Sequence, residues 1–410
     1  MTEKSNFKRF RVSDGVAKRW NDRVLIAADT HLAPHAWKSH PAVAGDAYYA
    51  FEQIAALCAL RRPQELWLAG DILDRVDIDP LTVRVLTTQL DILADLKIPV
   101  RFIVGQHERH RLAQWLNIHS WPTYMHMQTW TTALGTCYAL DWQPRDVTQT
   151  SLAGVPVGTD VLLTHHVWTE LHGKLMHPEC ALSDVHHATT IVSGDYHKAV
   201  QATGVNAQGA ASILLSPGST AMQSLNEPVE KSVLTLSRVG GELRAVRCPL
   251  RSRGYFRYVL EQPEDLEWLK VDLPQMIAAE QPQWSQLPEQ LQLPIVVVEY
   301  PAHWPKVAQY VAEAVTPHAH LFARPQVTPT EIVELDTRRT LQLEGHLASG
   351  ISLVAEPTEP HYNDLLSMLS CPQDPAALED LLDNVLSRVA QTVQTEAAPR
   401  QRRRERAANS

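Results

Sequence analysis

Five times between residues 24 and 197, a short apolar run ends in a side chain able to hold a metal ion. Val24-Leu-Ile-Ala-Ala28 ends in Asp29-Thr30-His31, Leu66-Trp-Leu-Ala69 in Gly70-Asp71, and Val100 to Val104 in Gly105-Gln106-His107-Glu108. Val161-Leu-Leu-Thr164 runs into His165-His166, and Thr190-Ile-Val-Ser193 into Gly194-Asp195-Tyr196-His197. Runs this short and this apolar read as strands buried on both faces. Apolar residues at helical spacing fill the gaps near 43–60 and 81–96, so the pattern predicts a parallel α/β sheet covered on both sides. The carboxyl ends of such strands converge, and residues distant in sequence share one crevice. One motif alone is commonplace, since Gly-Asp after a strand is ordinarily a turn. Five in succession, each at a strand end, make a site.

The donors are oxygen and imidazole without thiolate, which suits Mn²⁺, Fe²⁺, Zn²⁺ or Mg²⁺ and not a structural zinc. A carboxylate between two clusters, as Asp71 is expected to be, bridges two ions ~3.5–4 Å apart, the geometry of two-metal phosphoester hydrolysis. Competing motifs are weaker. His107-Glu108-Arg109-His110 is one residue short of the HExxH spacing that puts two histidines on one helix face, and no GxxxxGK[ST] loop is present.

Composition narrows the class further. With 410 residues, 44% hydrophobic and 20% charged, the chain is an ordinary globular protein of two or three domains. A net charge of −9 excludes a general positive coat but not a local basic groove. No apolar run approaches the ~18 residues of a membrane span, and no apolar leader follows Met1. The five cysteines are scattered without a CxxC pair, which reads as reduced thiols in a cytoplasmic protein without membrane contact.

The histidines His35, His40, His119, His126, His172, His177, His186 and His187 read as solvated loop residues. Arg61-Arg62, Arg109, Arg111, Arg251 and Arg253 are candidate phosphate-backbone contacts, though for each a plain surface charge is the simpler reading. Later, Gly240-Gly241 between Ser232–Arg238 and Leu243–Arg247 is a hairpin signal. Residues 294–298 and 320–323 flank a helical stretch near 307–315. Leu378, Leu381, Leu382, Val385, Leu386 and Val389 then recur at helical spacing after Asp374-Pro375.

Asp29-x-His31, Gly70-Asp71-x-x-Asp74, Gly105-Gln106-His107-Glu108, His165 and Gly194-Asp195-x-His197 together resemble, in order, the motifs of calcineurin-like metallophosphoesterases. Ser216-Pro-Gly-Ser-Thr220, Glu227, Glu230-Lys231-Ser-Val233 and Pro249-Leu250-Arg251-Ser-Arg253 resemble the end of the nuclease domain in SbcD-type double-strand-break nucleases. The resemblance implies an α/β fold: a metallophosphoesterase β-sandwich flanked by helices, with a small α+β cap domain and C-terminal helices. It divides the chain into a nuclease domain (1–255), a connector (256–293), a cap for DNA ends (294–360), a helical partner-binding segment (361–392) and a basic disordered tail (393–410).

It further implies two divalent ions, Mn²⁺ or else Mg²⁺. Asp29, His31, Asp71 and His197 would hold one, and Asp71, Gln106, His165 and Asp195 the other. His107 would be catalytic, with Asp74 orienting its ring; His165 rather than His166 is the ligand on the family pattern alone. The implied partners are DNA ends and single strands, an SbcC-type SMC-like ATPase gripped by the C-terminal helices, and a second copy in a homodimer, in a bacterial or phage-infected cell. Two departures keep a ligand in place. Gln106 stands for Asn, with its carboxamide one methylene farther out. Asp195 stands for the first His of GHxH, adding a negative charge that favours hard ions. The rival readings are a phosphatase or small-molecule phosphodiesterase on the same site, and a non-catalytic DNA-end scaffold.

Overall fold

The apolar runs become strands. The computed structural model describes residues 19–326, apart from 34–36, 38–39, 75–78, 109–118, 173–177, 286 and 305, all within one compact unit, Met1–Val333. Strands β1 (Arg23–Ala27), β2 (Glu65–Ala69), β3 (Val100–Ile103) and β4 (Thr123–Tyr124) run parallel. Strand β11 (Lys231–Val239) lies antiparallel beside β1, and β12 (Glu242–Leu250) beside β11, giving the order β12-β11-β1-β2-β3-β4. Gly240 and Gly241, at φ 60° and 89°, make the predicted tight turn of that hairpin.

A second six-stranded sheet has the order β5-β6-β7-β8-β10-β9. Its members are β5 (Thr129–Thr132), β6 (Gly135–Ala139), β7 (Val161–His165), β8 (Thr190–Gly194), β9 (Val200–Val205) and β10 (Ala211–Ser216). Parallel strands again form its centre, with antiparallel partners at both edges. Ile26, Trp67 and Ile103 of the first sheet pack with Leu163, Val192 and Leu215 of the second in one buried cluster, so the expected β-sandwich is present.

The outer faces carry helices α1 (Pro41–Arg61), α2 (Pro80–Asp95), α3 (Arg145–Ala153) and the short α4 (Thr169–His172). Both α1 and α2 begin with proline at the first turn, and the Asp79 carboxylate caps α2 by accepting from the Thr82 amide at 2.8 Å. Leu152 of α3 joins Trp168, Leu162, Ile191 and Leu214 on the outer side of the second sheet. The apolar strands alone read as a single sheet between two helix layers. Two sheets form instead, because a neighbouring sheet buries a strand's face as completely as a helix does.

A third, three-stranded parallel sheet contains β13 (Tyr255–Val259), β14 (Ile295–Pro301) and β15 (His320–Gln326). Helices α5 (Asp265–Glu280) and α6 (Val307–Val315) pack on it. β13 therefore opens at Tyr255, the last residue of the stretch read as the nuclease domain, and runs into the stretch read as a connector. Ile295 and Val297 pack on Trp37, Val43 and Met222 of the sandwich. Arg253 locks the junction: 4% exposed, it meets Asp46 of α1 at 2.6–3.0 Å and donates to the Leu293 carbonyl at 2.9 Å. It is thus a structural ion pair and no phosphate contact. Arg109, Arg111, the cap beyond 326, the C-terminal helical segment and the basic tail lie outside the described residues. Among the described residues, Cys58, Cys137, Cys180 and Cys248 are unbridged, and no helix is long and apolar enough to cross a membrane.

Candidate metal centre

The chain turns sharply as it leaves β1, β2 and β8. Asp29, His31, Asp71 and Asp195 all have positive φ (51°, 42°, 48° and 79°), a region that Asp and His tolerate better than most residues. Such backbone costs on the order of 1–3 kcal/mol per residue and concentrates at functional sites. Here it is held by the loops themselves: Asp29 N–H donates to the Gly70 carbonyl at 3.1 Å and His31 N–H to the Asp71 carbonyl at 2.9 Å. The Asp195 amide donates to both Asp29 carboxylate oxygens, at 3.0 and 3.2 Å, joining the two sheets at their carboxyl ends.

Four imidazoles converge there, and each is pinned through Nδ1 by an oxygen. His165 Nδ1 lies 2.7 Å from the Ala69 carbonyl and His107 Nδ1 2.9 Å from the Asp74 carbonyl. His31 Nδ1 lies 2.9 Å from Asp74 Oδ1, and His197 Nδ1 2.7 Å from Glu227 Oε1. Carbonyls only accept, and ionised carboxylates likewise, so each ring carries a proton on Nδ1 and turns its Nε2 inward. Asp71 sits among them. Its Oδ1 accepts the His107 amide at 3.1 Å, while its Oδ2 faces Nε2 of His165 at 3.3 Å and of His31 and His107 at 3.8 Å.

The donor set fits divalent ions. Asp71 Oδ2, His165 Nε2 and Gln106 Oε1 are buried without a hydrogen-bond partner, and Nε2 of His31 and His197 face each other at 3.2 Å. Two lone pairs at that distance repel unless a cation or proton lies between them. Asp29, His31 and His197 present ligand atoms within 4.8 Å of one another, as do Asp29, Asp71 and His165, and His31, Asp71 and His107. Asp71 and Asp29 are each shared between groups, as bridging requires. His107, expected as the catalytic histidine, shares its group with His31 and Asp71 and is the most open of the four rings, with a side chain 41% exposed.

The remaining candidates fall as follows. Gln106 donates through Nε2 to Asp195 Oδ1 at 2.5 Å and leaves its Oε1 bare, so Asp195 anchors the carboxamide and belongs to none of the three groups. The two departures from the family motifs thus meet in space. Asp74 serves two rings, its carboxylate holding His31 and its carbonyl His107, with 3.8 Å from Oδ1 to His107 Nδ1. His166 faces away: its Nε2 accepts the Gln143 amide at 3.3 Å and its Nδ1 meets Thr164, and burial pushes it down to about 3, a neutral core residue. Glu108, quoted only as part of a motif, proves to be a buried brace, accepting Leu73 N–H at 2.7 Å and Gly105 N–H at 3.2 Å. Burial first, and then Asp71, push it up to about 8.

The surrounding charges set a pH dependence. Burial opposes protonation of His165, but Asp71, Asp29 and Asp195 outweigh it and raise the group well above the ordinary histidine value. A cation needs that nitrogen bare, so binding must expel the proton. Affinity is therefore full above the raised His165 value and declines as pH falls through it. Mn²⁺ titrations at about pH 8.5 and about pH 6 are expected to show weaker binding and greater proton release at the lower pH. Equal affinity and no proton release would contradict it.

No protein-family model and no curated protein matches the chain. Among solved structures, the chain is similar to a dimetal phosphatase from Danio rerio at 11% identity and a TM-score of 0.36, over 55% of this chain and 96% of the other. A likeness at that level assigns neither family nor function.

Proposed function

We propose that this chain is a two-metal phosphodiesterase that cleaves DNA, the nuclease subunit of an SbcC/SbcD-like ATPase–nuclease complex. One observation carries the phosphoesterase chemistry: four imidazoles pinned through Nδ1 aim their Nε2 atoms into a space shared with the Asp71 carboxylate. Asp29, His31, His197, Asp71, His165 and Gln106 Oε1 would hold two divalent ions, which supply Lewis-acid polarisation of a phosphoryl group and activation of a water. The protein's own part is orientation and proton transfer. His107, open to solvent and fixed by the Asp74 carbonyl, would present a protonated Nε2 to the leaving oxygen and give it that proton. DNA as substrate, the ATPase partner and the homodimer rest on the motifs at 216–253 and on the amphipathic pattern near 378–389.

The test is cleavage of end-labelled double- and single-stranded DNA with Mn²⁺, Mg²⁺ or EDTA, wild type beside His107→Ala. Shortening that needs the ion and falls at least about hundredfold in the variant, within the ~10²–10⁴-fold range of general acid–base catalysis, is expected. Silence on DNA with hydrolysis of a chromogenic phosphodiester intact would favour the small-substrate reading. Metal binding without any hydrolysis would favour the scaffold.

A further inference from the structure

Behind His197, the Glu227 carboxylate that pins its ring is itself held by a buried lysine. Glu227 Oε1 accepts the His197 Nδ1–H at 2.7 Å. Its other oxygen, Oε2, accepts from Lys231 Nζ at 2.7 Å, from Ser219 Oγ at 2.9 Å and from the Gln223 amide at 3.2 Å. Lys231 Nζ also donates to Ser219 Oγ at 2.8 Å. The Lys231 side chain is 2% exposed and the Glu227 side chain 8%. Burying an ammonium is costly, and replacing a buried pair with apolar side chains of similar volume is often neutral or stabilising. Stability alone is therefore a poor reason for this pair.

Its geometry supplies a better one. Lys231 opens β11 in the first sheet, whereas His197 follows β8 in the second. The chain Lys231–Glu227–His197 thus crosses the sandwich directly behind one wall of the metal centre. We propose that Glu227 and Lys231 are positioning residues for the ion that His197 holds: Glu227 fixes the His197 ring and its Nδ1–H tautomer, and Lys231, with Ser219, stops the carboxylate from turning away. A carboxylate behind a ligating imidazole does this at many metal sites, and losing such a partner typically costs about 10–100-fold in metal affinity. The inference rests on the reading of His197 as a ligand.

The experiment is calorimetric titration of the full chain with Mn²⁺, comparing wild type with the Glu227→Met/Lys231→Met double variant. That replacement removes the pair without leaving a lone buried charge, so the melting temperature in EDTA should stay near wild type. One of the two ions is expected to bind about 10–100-fold more weakly. In the metal-free proteins, ¹⁵N spectra of histidine-labelled samples should show His197 losing its Nδ1–H tautomer. Because Glu227 acts through His197, adding the pair of substitutions to His197→Ala should weaken binding no further, a non-additive cycle.

Unchanged affinity and an unchanged His197 tautomer would overturn the proposal, as would additive losses in the cycle. If the double variant does not fold, Glu227→Gln is read in its place. It keeps the volume and one acceptor and is expected to lose affinity in the same direction; full wild-type affinity would again refute positioning. A wild type that binds no Mn²⁺ would instead refute the metal site itself, and the inference with it.

Discussion

Asp71→Asn is expected to abolish binding of both ions and, with it, all phosphoester hydrolysis. Among the described residues, no other side chain reaches so many of the converging donors. One of its oxygens takes the His107 amide, and the other faces three Nε2 atoms at 3.3–3.8 Å with no hydrogen bond of its own. In asparagine, the oxygen would stay on the His107 amide and the NH₂ would replace Oδ2. That group has no lone pair to offer a cation and fills with hydrogens the space one needs. The loss should exceed the roughly 10–100-fold typical of partners that only support a ligand. The side chain keeps its shape and volume, so the fold should survive.

Thermal melting separates the two effects. At Mn²⁺ a hundredfold above its dissociation constant, an ion that binds only the folded state stabilises by about 2.7 kcal/mol. The wild type should show that increment over its melt in EDTA, and Asp71→Asn none. A variant that still gains stability from Mn²⁺ would remove Asp71 from the centre of the site.

How much of this was legible beforehand follows from how local each signal is. An Asp or His closing a short apolar run is written in a few consecutive residues, and all five such ends meet at the site. The helices at 41–61 and 80–95 were legible, near 43–60 and 81–96, through the spacing of their apolar residues. The second sheet was not. Leu25 and Ile26 of β1 are both fully buried, one beside the next, and nothing in the run says whether a helix or a sheet covers each face. Strands β5 and β6, Thr129–Thr132 and Gly135–Ala139, carry strand-favouring Thr, Trp and Tyr but no continuous apolar run, and give no comparable signal.

At the site, what escaped is what passes through space or through the backbone. Gln106 and Asp195 each read as an isolated departure, yet they form one hydrogen-bonded unit. Asp74 was expected to orient His107 by its side chain, but its carbonyl makes that bond and its carboxylate goes to His31. Arg253 read most simply as a plain surface charge because only its charge is visible in sequence, whereas it is buried against Asp46, 207 residues away.

Gly194→Ala is expected to damage both fold and site, although it adds one methyl group outside the donor set. Gly194 ends β8 opposite His165 in the β7–β8 register. A Cβ there would fall well inside van der Waals contact of the Ala69 carbonyl and of His165 Nδ1, the two ends of the hydrogen bond that aims the ring. Gly70, at φ 83°, faces the same ring, and a Cβ on it would also strike His165 Nδ1. Two glycines from different sheets therefore make room for one imidazole.

Relief requires moving either the backbone of β2 or the ring, and neither is the free end of a flexible side chain. Overpacking of this kind costs about 1–3 kcal/mol. Each kcal/mol lowers the melting temperature by roughly 2 °C or less in a unit of this size, where the entropy of unfolding is larger than in smaller domains. If the ring yields, His165 Nε2 leaves Asp71 and Mn²⁺ affinity falls as well. Gly154→Ala is the control: its Cβ would meet only the Thr150 and Ser151 carbonyls at 3.5 Å, ordinary contact, and its φ of −84° suits any residue. Melting and Mn²⁺ titration of the two variants beside wild type decide the matter, because only crowding against His165 predicts a loss at residue 194 and none at 154.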